Sequence, residues 1–301
     1  HTKKFNLFKM PHLRKFGLQK VFKKVMKTKK GASIVKEYKS FWRKRIVADI
    51  KIEPLFDGKK VKGLLLIAED VTAAYDFEQK LAYINRVLKI ISEINQLIVR
   101  ESDTEKLIEQ ATRLLSSNLG YDICWIGLFN EKEKVISPIY TCGLNRKKLK
   151  EIKITDHKKI PSSTALEKGY RSLKRVIINK LDKNIKTAIP FETLKKKGIS
   201  YQAVFPLVYK KSLKGFLTIY LRPEAALDNR EIKLLKELAD DLGLGLAAME
   251  TQKQLEESSA NLRLMFEESR DALFVEGLDG TIVDVNKAAC KMLKYKKSEL
   301  K

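Results

Sequence analysis

The chain has 301 residues, 44% of them hydrophobic, with a formal net charge of +24. That length allows two domains of ordinary size, or one whole domain and two partial ones, and the apolar content is enough to bury at least one full core. The longest apolar run, Leu64 to Ala68, is a strand's length and excludes a membrane-spanning helix by pattern.

The charge raises the question of nucleic acid. Arg supplies only 13 of the 61 basic residues, whereas base-reading surfaces favour its bidentate fork. Residues 1–62 are densest, with 20 Lys/Arg against four Asp/Glu, yet hold no zinc-finger, helix-turn-helix or RNA-binding aromatic pattern. Nucleic acid is therefore not the expected partner; a peripheral contact with anionic lipid is what the charge leaves open. Cys124, Cys142 and Cys290 are far apart in sequence and odd in number, which fits a reducing, cytoplasmic setting. His1, His12 and His157 make no ligand spacing with them, so no metal site is expected. His1 stands where an initiator Met would, and Leu300-Lys301 closes a helical pattern; a fragment of a longer protein, without a signal peptide, is the expectation.

In chain order, Leu18, Val21, Phe22 and Val25 share one helix face, with Gly31 behind them. Strands are predicted over 33–42, 45–55 and 61–68; Ile46, Ala48, Ile50 and Ile52 alternate onto one face, and Asp57-Gly58 is a turn pair. A long helical pattern then runs from Thr72 to Leu119, bent near Glu101-Ser102-Asp103, with Thr72 as an N-cap assisted by Asp70. Phe77, Leu81, Ile84, Leu88, Ile91 and Ile98 recur at steps of four and three with Asn95 in the gap, the seam of a coiled coil whose Asn fixes register. Strands follow at 123–129 and 135–141. Thr164 and Glu167 have capping-box spacing for a short helix ended by Gly169; then come a strand at 176–179, a helical turn at 191–197, and strands at 203–209 and 215–221. From Asn229 to Glu268 a second helix carries Leu242, Leu246, Met249, Leu255, Leu262 and Phe266, with a phase slip at Met249. Residues 269–275 and 281–285 form a hairpin across Asp279-Gly280, and Asn286 caps a last helix.

The helix, three strands and Asp70-Val71-Thr72 of residues 1–75 resemble the C-terminal part of a PAS domain, whose last strand ends in such a triplet. Residues 101–250, with a first helix from about 88, resemble a GAF domain through Tyr121–Phe129, Thr164–Asn179, Tyr201–Val208, Lys214–Leu221 and Leu227-Asp228-Asn229-Arg230-Glu231. Residues 262–301 resemble the N-terminal part of a second PAS domain, with linker helices at 76–100 and 251–261. The fold class is therefore α+β: antiparallel-sheet PAS-like and GAF-like domains joined by long amphipathic helices.

The resemblance implies a ligand cavity within residues 120–220. Trp125, Tyr140, Phe191, Tyr201 and Phe205 are candidate lining residues, with Cys142, Ser163, Thr164 and Asn179 as polar handles; alternating strand aromatics are otherwise ordinary core. Cyclic-nucleotide-binding GAF domains carry an Asn-Lys…Phe…Asp-Glu pattern. Here Asn179-Lys180 and Phe191 are present, but Glu192-Thr193 replaces the acidic pair. Bilin attachment needs a Cys with a nearby His, and only His157 offers itself. No cofactor is assigned, since flavin or haem determinants would fall in the missing halves of the PAS domains.

No catalytic constellation appears. Gly243-Leu244-Gly245 lies inside a helical pattern, not after a strand, and is no dinucleotide loop. Asp70, Thr72 and Asn95 are the candidate signal-relay residues. The expected role is a sensory and relay segment of a signalling protein, a homodimer through its linker helices, binding an unknown small molecule and feeding a histidine kinase or, next, a diguanylate cyclase. The alternatives are a non-catalytic basic adaptor and a structural dimerisation module.

Overall fold

A computed structural model of the chain describes residues 17–39, 43–144, 154–155, 164–185 and 187–300. The chain divides into two compact units, residues 1–85 and 86–301.

In the first unit, helix α1 (Leu18–Thr28) packs on an antiparallel sheet of β1 (Ala32–Lys39), β2 (Arg45–Asp57) and β3 (Lys60–Asp70), in that order. Ile34 stands opposite Ile50, and Ile52 opposite Leu66, so the alternation of β2 delivers Ala48, Ile50 and Ile52 to one face. Leu18, Phe22 and Val25 close that face into a core. Each of these side chains contributes about 1.5–3 kcal/mol on burial. Pro54 is tolerated in β2 because it lies beyond Ile52, the last residue paired with β1. Residues 40–42 and 1–16 lie outside the described residues.

Helix α2 (Thr72–Arg100) follows β3 directly. The Thr72 hydroxyl does not cap it. It donates to Asp70 Oδ1 at 2.5 Å and accepts from the Val47 amide of β2 at 2.8 Å, while the Val71 carbonyl takes the first helical bond, from Tyr75. Arg45 adds a clamp, reaching Glu37 of β1 and Asp76 of α2 at 3.0 and 2.7 Å.

In the second unit, α3 (Thr104–Leu119) begins at Asp103, whose carboxylate accepts from the Glu105 and Lys106 amides, and ends at Gly120 in the left-handed region. A six-stranded antiparallel sheet has the order β6-β5-β4-β9-β8-β7: β6 (Ile154–Thr155), β5 (Val135–Cys142), β4 (Ile123–Asn130), β9 (Ser212–Leu221), β8 (Tyr201–Tyr209), β7 (Val176–Ile178). Helix α3 and the first half of α6 (Asn229–Glu268) cover one face, with the end of α2 against α6; α4 (Ala165–Ser172), α5 (Phe191–Lys196) and their connections cover the other.

Two glycines set the helix layer. A Cβ at Gly243 would sit 2.7 Å from the Val208 backbone nitrogen, and one at Gly245 would overlap the Ile98 side chain. The Gly-Leu-Gly step thus lets α6 lie directly on β8 and against α2.

The expected seams divide in the structure. Ile91, Leu242 and Leu246 are buried within the second unit, and Asn95 bonds Asp241 of α6 at 2.9 Å in the same chain. Phe77, Leu81, Leu88, Leu255 and Leu262 remain exposed. The four-three pattern marks both kinds of contact alike, because it reports one apolar stripe and not its partner. Gly169, expected to end α4, lies inside it: the helix continues to Ser172, and Leu173 takes the left-handed cap. Gly169 serves close packing instead, with Phe216 3.1 Å from where its Cβ would be.

Beyond α6 come β10 (Phe274–Glu276) and β11 (Ile282–Val285), a hairpin shorter than its pattern, then α7 (Lys287–Leu293) and α8 (Lys297–Leu300). Among the described residues no helix is long and apolar enough to cross a membrane.

Candidate ligand-binding site

The site grows from strand register. Trp125 of β4 stands opposite Thr218 of β9, which stands opposite Val204 of β8; Tyr220 stands opposite Ile123 and Gln202. Opposed residues share a face, so Trp125, Thr218, Tyr220 and Gln202 form one floor, turned away from α3 and α6. Gly127 keeps room for the indole: a Cβ there would lie 2.8 Å from Trp125 Cζ3.

All four side chains are buried, and their polar atoms are incompletely used. Gln202 Nε2 donates to the Tyr220 hydroxyl at 3.0 Å. Trp125 Nε1, Gln202 Oε1 and Thr218 Oγ1 have no partner among the described residues. Burial pushes the Tyr220 phenol well above its ordinary range; the Trp125 N–H pulls the other way without reaching hydrogen-bond geometry. An unpartnered buried donor or acceptor costs about 1–3 kcal/mol, and three on one sheet face call for a ligand or water.

Facing this floor, α4 starts at Thr164, whose hydroxyl accepts from the Glu167 amide at 3.1 Å. Glu167 is itself buried: Oε1 holds Arg171 at 2.6 Å, and Oε2 has no partner among the described residues. Leu166, Leu181, Ile189, Leu194 and Phe216 fill the space around.

The residues expected to line the site separate. Trp125 is on the floor, Thr164 caps α4, and Phe191 opens α5 half-buried. Tyr140, Cys142, Tyr201 and Phe205 lie on the opposite, helix-covered face, as register requires: Tyr140 pairs with Ile126 and Cys142 with Cys124, while Tyr201 is one step from Gln202. Tyr140 lies under the Arg113 guanidinium at 5.3 Å. The Tyr201 phenol is pushed up by burial first and by Glu231 second. Phe205 floors a surface groove of about 510 Å3 shared with Arg175 and Ala239. Asn179 is exposed, and Ser163 and His157 lie outside the described residues. Gln202, Thr218, Tyr220 and Glu167 were not among the expected residues. The available signal was Gln202 and Thr218 as polar interruptions of apolar strands.

Family comparison agrees with this architecture. Residues 101–247 match the GAF domain model, and residues 260–301 match a PAS domain model. The chain carries a GAF domain followed by a PAS-like domain.

Solved structures similar to it include the GAF domain of a phosphoenolpyruvate-protein phosphotransferase from Coxiella burnetii: 17% identity, 56% of this chain and 97% of that one, TM-score 0.47. The corresponding Acinetobacter GAF domain gives 16%, 55%, 94% and 0.46. Free methionine-R-sulfoxide reductase from Neisseria meningitidis gives 15%, 55%, 91% and 0.45. At this similarity the neighbours bear on neither ligand nor activity. No curated protein matches the chain.

The GAF floor and the PAS-like start are joined by α6. Its last turns are held by charge: Arg263 pairs with Glu267 at 3.4 Å and with Asp284 of β11 at 3.0 Å, and Lys297 bridges Glu267 and Asp284 at 2.8 Å each. Lys297 is held above its ordinary range by those two carboxylates, Asp284 foremost. Asn286 is fully buried. Its Oδ1 accepts from the Leu273 and Ala289 amides, and its Nδ2 donates to the Asp271 carbonyl, so one side chain fixes the hairpin to α7.

Proposed function

We propose that this chain is the sensory and relay segment of a cytoplasmic signalling protein, in which a small uncharged ligand on the GAF floor biases the helices α2 and α6. The single observation carrying the ligand is the set of polar atoms at Trp125, Gln202 and Thr218 that have no partner among the described residues. An indole N–H asks for an acceptor, an amide oxygen for a donor, and a hydroxyl takes either. The floor residues carry no charge, which favours a neutral molecule with both functions over a phosphate ester.

The relay half rests on exposure. Residues 250–265 of α6 are exposed throughout, with Leu255 and Leu262 one heptad apart. Phe77, Leu81 and Leu88 form a second exposed stripe on α2. A helical segment of that length without packing is marginal in water, and a second copy of the chain would cover both stripes as a parallel pair. Ligand binding then acts by population shift between two helix arrangements. Residues 1–75 complete the layout as the C-terminal part of a first PAS domain, with Asp70 and Thr72 fastening its sheet to α2. The output is a histidine kinase, with a diguanylate cyclase as the next reading.

Native mass spectrometry of the protein purified from a cytosolic extract, with a thermal-shift panel of neutral amides and heterocycles, tests the ligand. A bound neutral mass, or a stabilisation lost in Thr218→Val, is expected. Stabilisation by anionic nucleotides alone would overturn the reading. Sedimentation velocity tests the pairing: a dimer that Leu255→Lys with Leu262→Lys converts to monomer is expected, and a monomeric parent would overturn it.

A further inference from the structure

The structure assigns Cys124 and Cys142 as a cross-strand dithiol, and we propose that a hydroperoxide oxidises the pair to a disulfide. Distant in sequence, the two residues are direct register partners on β4 and β5. Opposed antiparallel residues have Cα atoms about 4.5–5.5 Å apart, inside the disulfide range of about 4.4–6.8 Å. Both thiols are free.

Their environments differ as an attacking and a resolving thiol require. Cys142 ends β5 and is half-buried, so an oxidant reaches it; its Sγ donates to the Thr112 carbonyl of α3 at 3.8 Å. Cys124 is completely buried, and its thiol is held protonated chiefly by burial and secondarily by Cys142. A buried thiol with no partner behaves as a small hydrophobe. An accessible one directly opposite gives it a chemistry.

The Cys142 thiolate attacks the outer peroxide oxygen; the O–O bond breaks, and the alkoxide or hydroxide leaves with a proton, giving a sulfenic acid. Cys124 sulfur then attacks the sulfenic sulfur, the S–O bond breaks, and the hydroxyl departs as water with the Cys124 proton. Two thiols are oxidised and one peroxide is reduced. A small thiol reverses the step by exchange. The product removes the S–H donor from Thr112, loosening the α3 contact with β5 on the face opposite the ligand floor, so the device is independent of ligand binding.

The test is hydrogen-peroxide titration of the full chain, with non-reducing intact mass and peptide mapping. The expected result is loss of two hydrogens per chain and a crosslinked peptide pair containing Cys124 and Cys142, reversed by dithiothreitol and unchanged in Cys290→Ser. Cys142→Ser abolishes the crosslink. Cys124→Ala and Cys124→Ser leave a sulfenic acid at Cys142 that dimedone captures, and circular dichroism verifies that at least one of these variants is folded. Hydrogen exchange of residues 108–116 rises on oxidation. A crosslink through Cys290, overoxidation of Cys142 without a link to Cys124, or no mass change would each overturn the proposal.

Discussion

Asn95 of α2 donates from Nδ2 to Asp241 Oδ2 of α6 at 2.9 Å, tying the helix that enters the GAF domain to the one that leaves it. Its own Oδ1 is buried without a partner among the described residues. The pair joins the two helices within one chain, at the level where Gly245 meets Ile98.

Asn95→Leu separates the two uses of this position. A leucine on a dimer seam would tighten association. In the observed arrangement it removes the donor to Asp241, and a cost of about 1–3 kcal/mol is expected. Urea unfolding followed by circular dichroism measures this; a variant more stable than the parent would contradict the intrachain role.

Gly243→Ala is expected to destabilise more than Gly245→Ala. The added methyl at 243 meets the Val208 backbone, which has nowhere to go, whereas the atom met at 245 is an Ile98 methyl on a rotatable side chain. Overpacking of this kind costs about 1–3 kcal/mol. Thermal melts of the two variants side by side test the order.

Thr218→Val trades function for stability. The hydroxyl is buried with no partner among the described residues, so its replacement by an isosteric methyl is expected to stabilise ligand-free protein by about 1 kcal/mol. The same change weakens binding of a ligand that bonds the hydroxyl by roughly tenfold. Melting temperature without ligand, and calorimetric affinity with it, must move in opposite senses.

Asp70 supplies a pH dependence. The Thr72 hydroxyl, and then the Thr72 amide, hold its carboxyl below the usual range. A carboxylate with a depressed folded pKa stabilises the fold above its ordinary titration range, and that stability is lost as pH falls through the lowered value. The Val47 amide, bonded to Thr72 Oγ1, is the local reporter. Its hydrogen exchange, corrected for intrinsic rate, is expected to speed up on acidification below the ordinary Asp range. In Thr72→Val it should be fast and flat across the same range.

Much of the layout was legible because local rules write it into the chain. Ala48, Ile50 and Ile52 alternate with polar neighbours, so the β2 core face follows from period two. Asp103, Thr164 and Asn286 stand where helices must begin, and each caps one. Thr72 shows the limit. Its sequence context suits a cap, but Val47 comes close only once β2 lies beside β3, and a nearby amide outcompetes the role.

Sequence by itself determined most of the elements, the α+β class and the resemblance of residues 101–250 and 262–301 to GAF and PAS domains, because helix and strand periods and capping residues act over a few positions. Only the tertiary structure decided partners. Strand register set Trp125 beside Thr218, turned Tyr140, Cys142 and Tyr201 to the other face, and brought Cys124 opposite Cys142 across 18 positions of chain. Likewise one apolar stripe along α6 is core at Leu242 and exposed at Leu255. Hydrophobic burial is non-directional: a pattern states that a face must be covered, and packing alone selects what covers it.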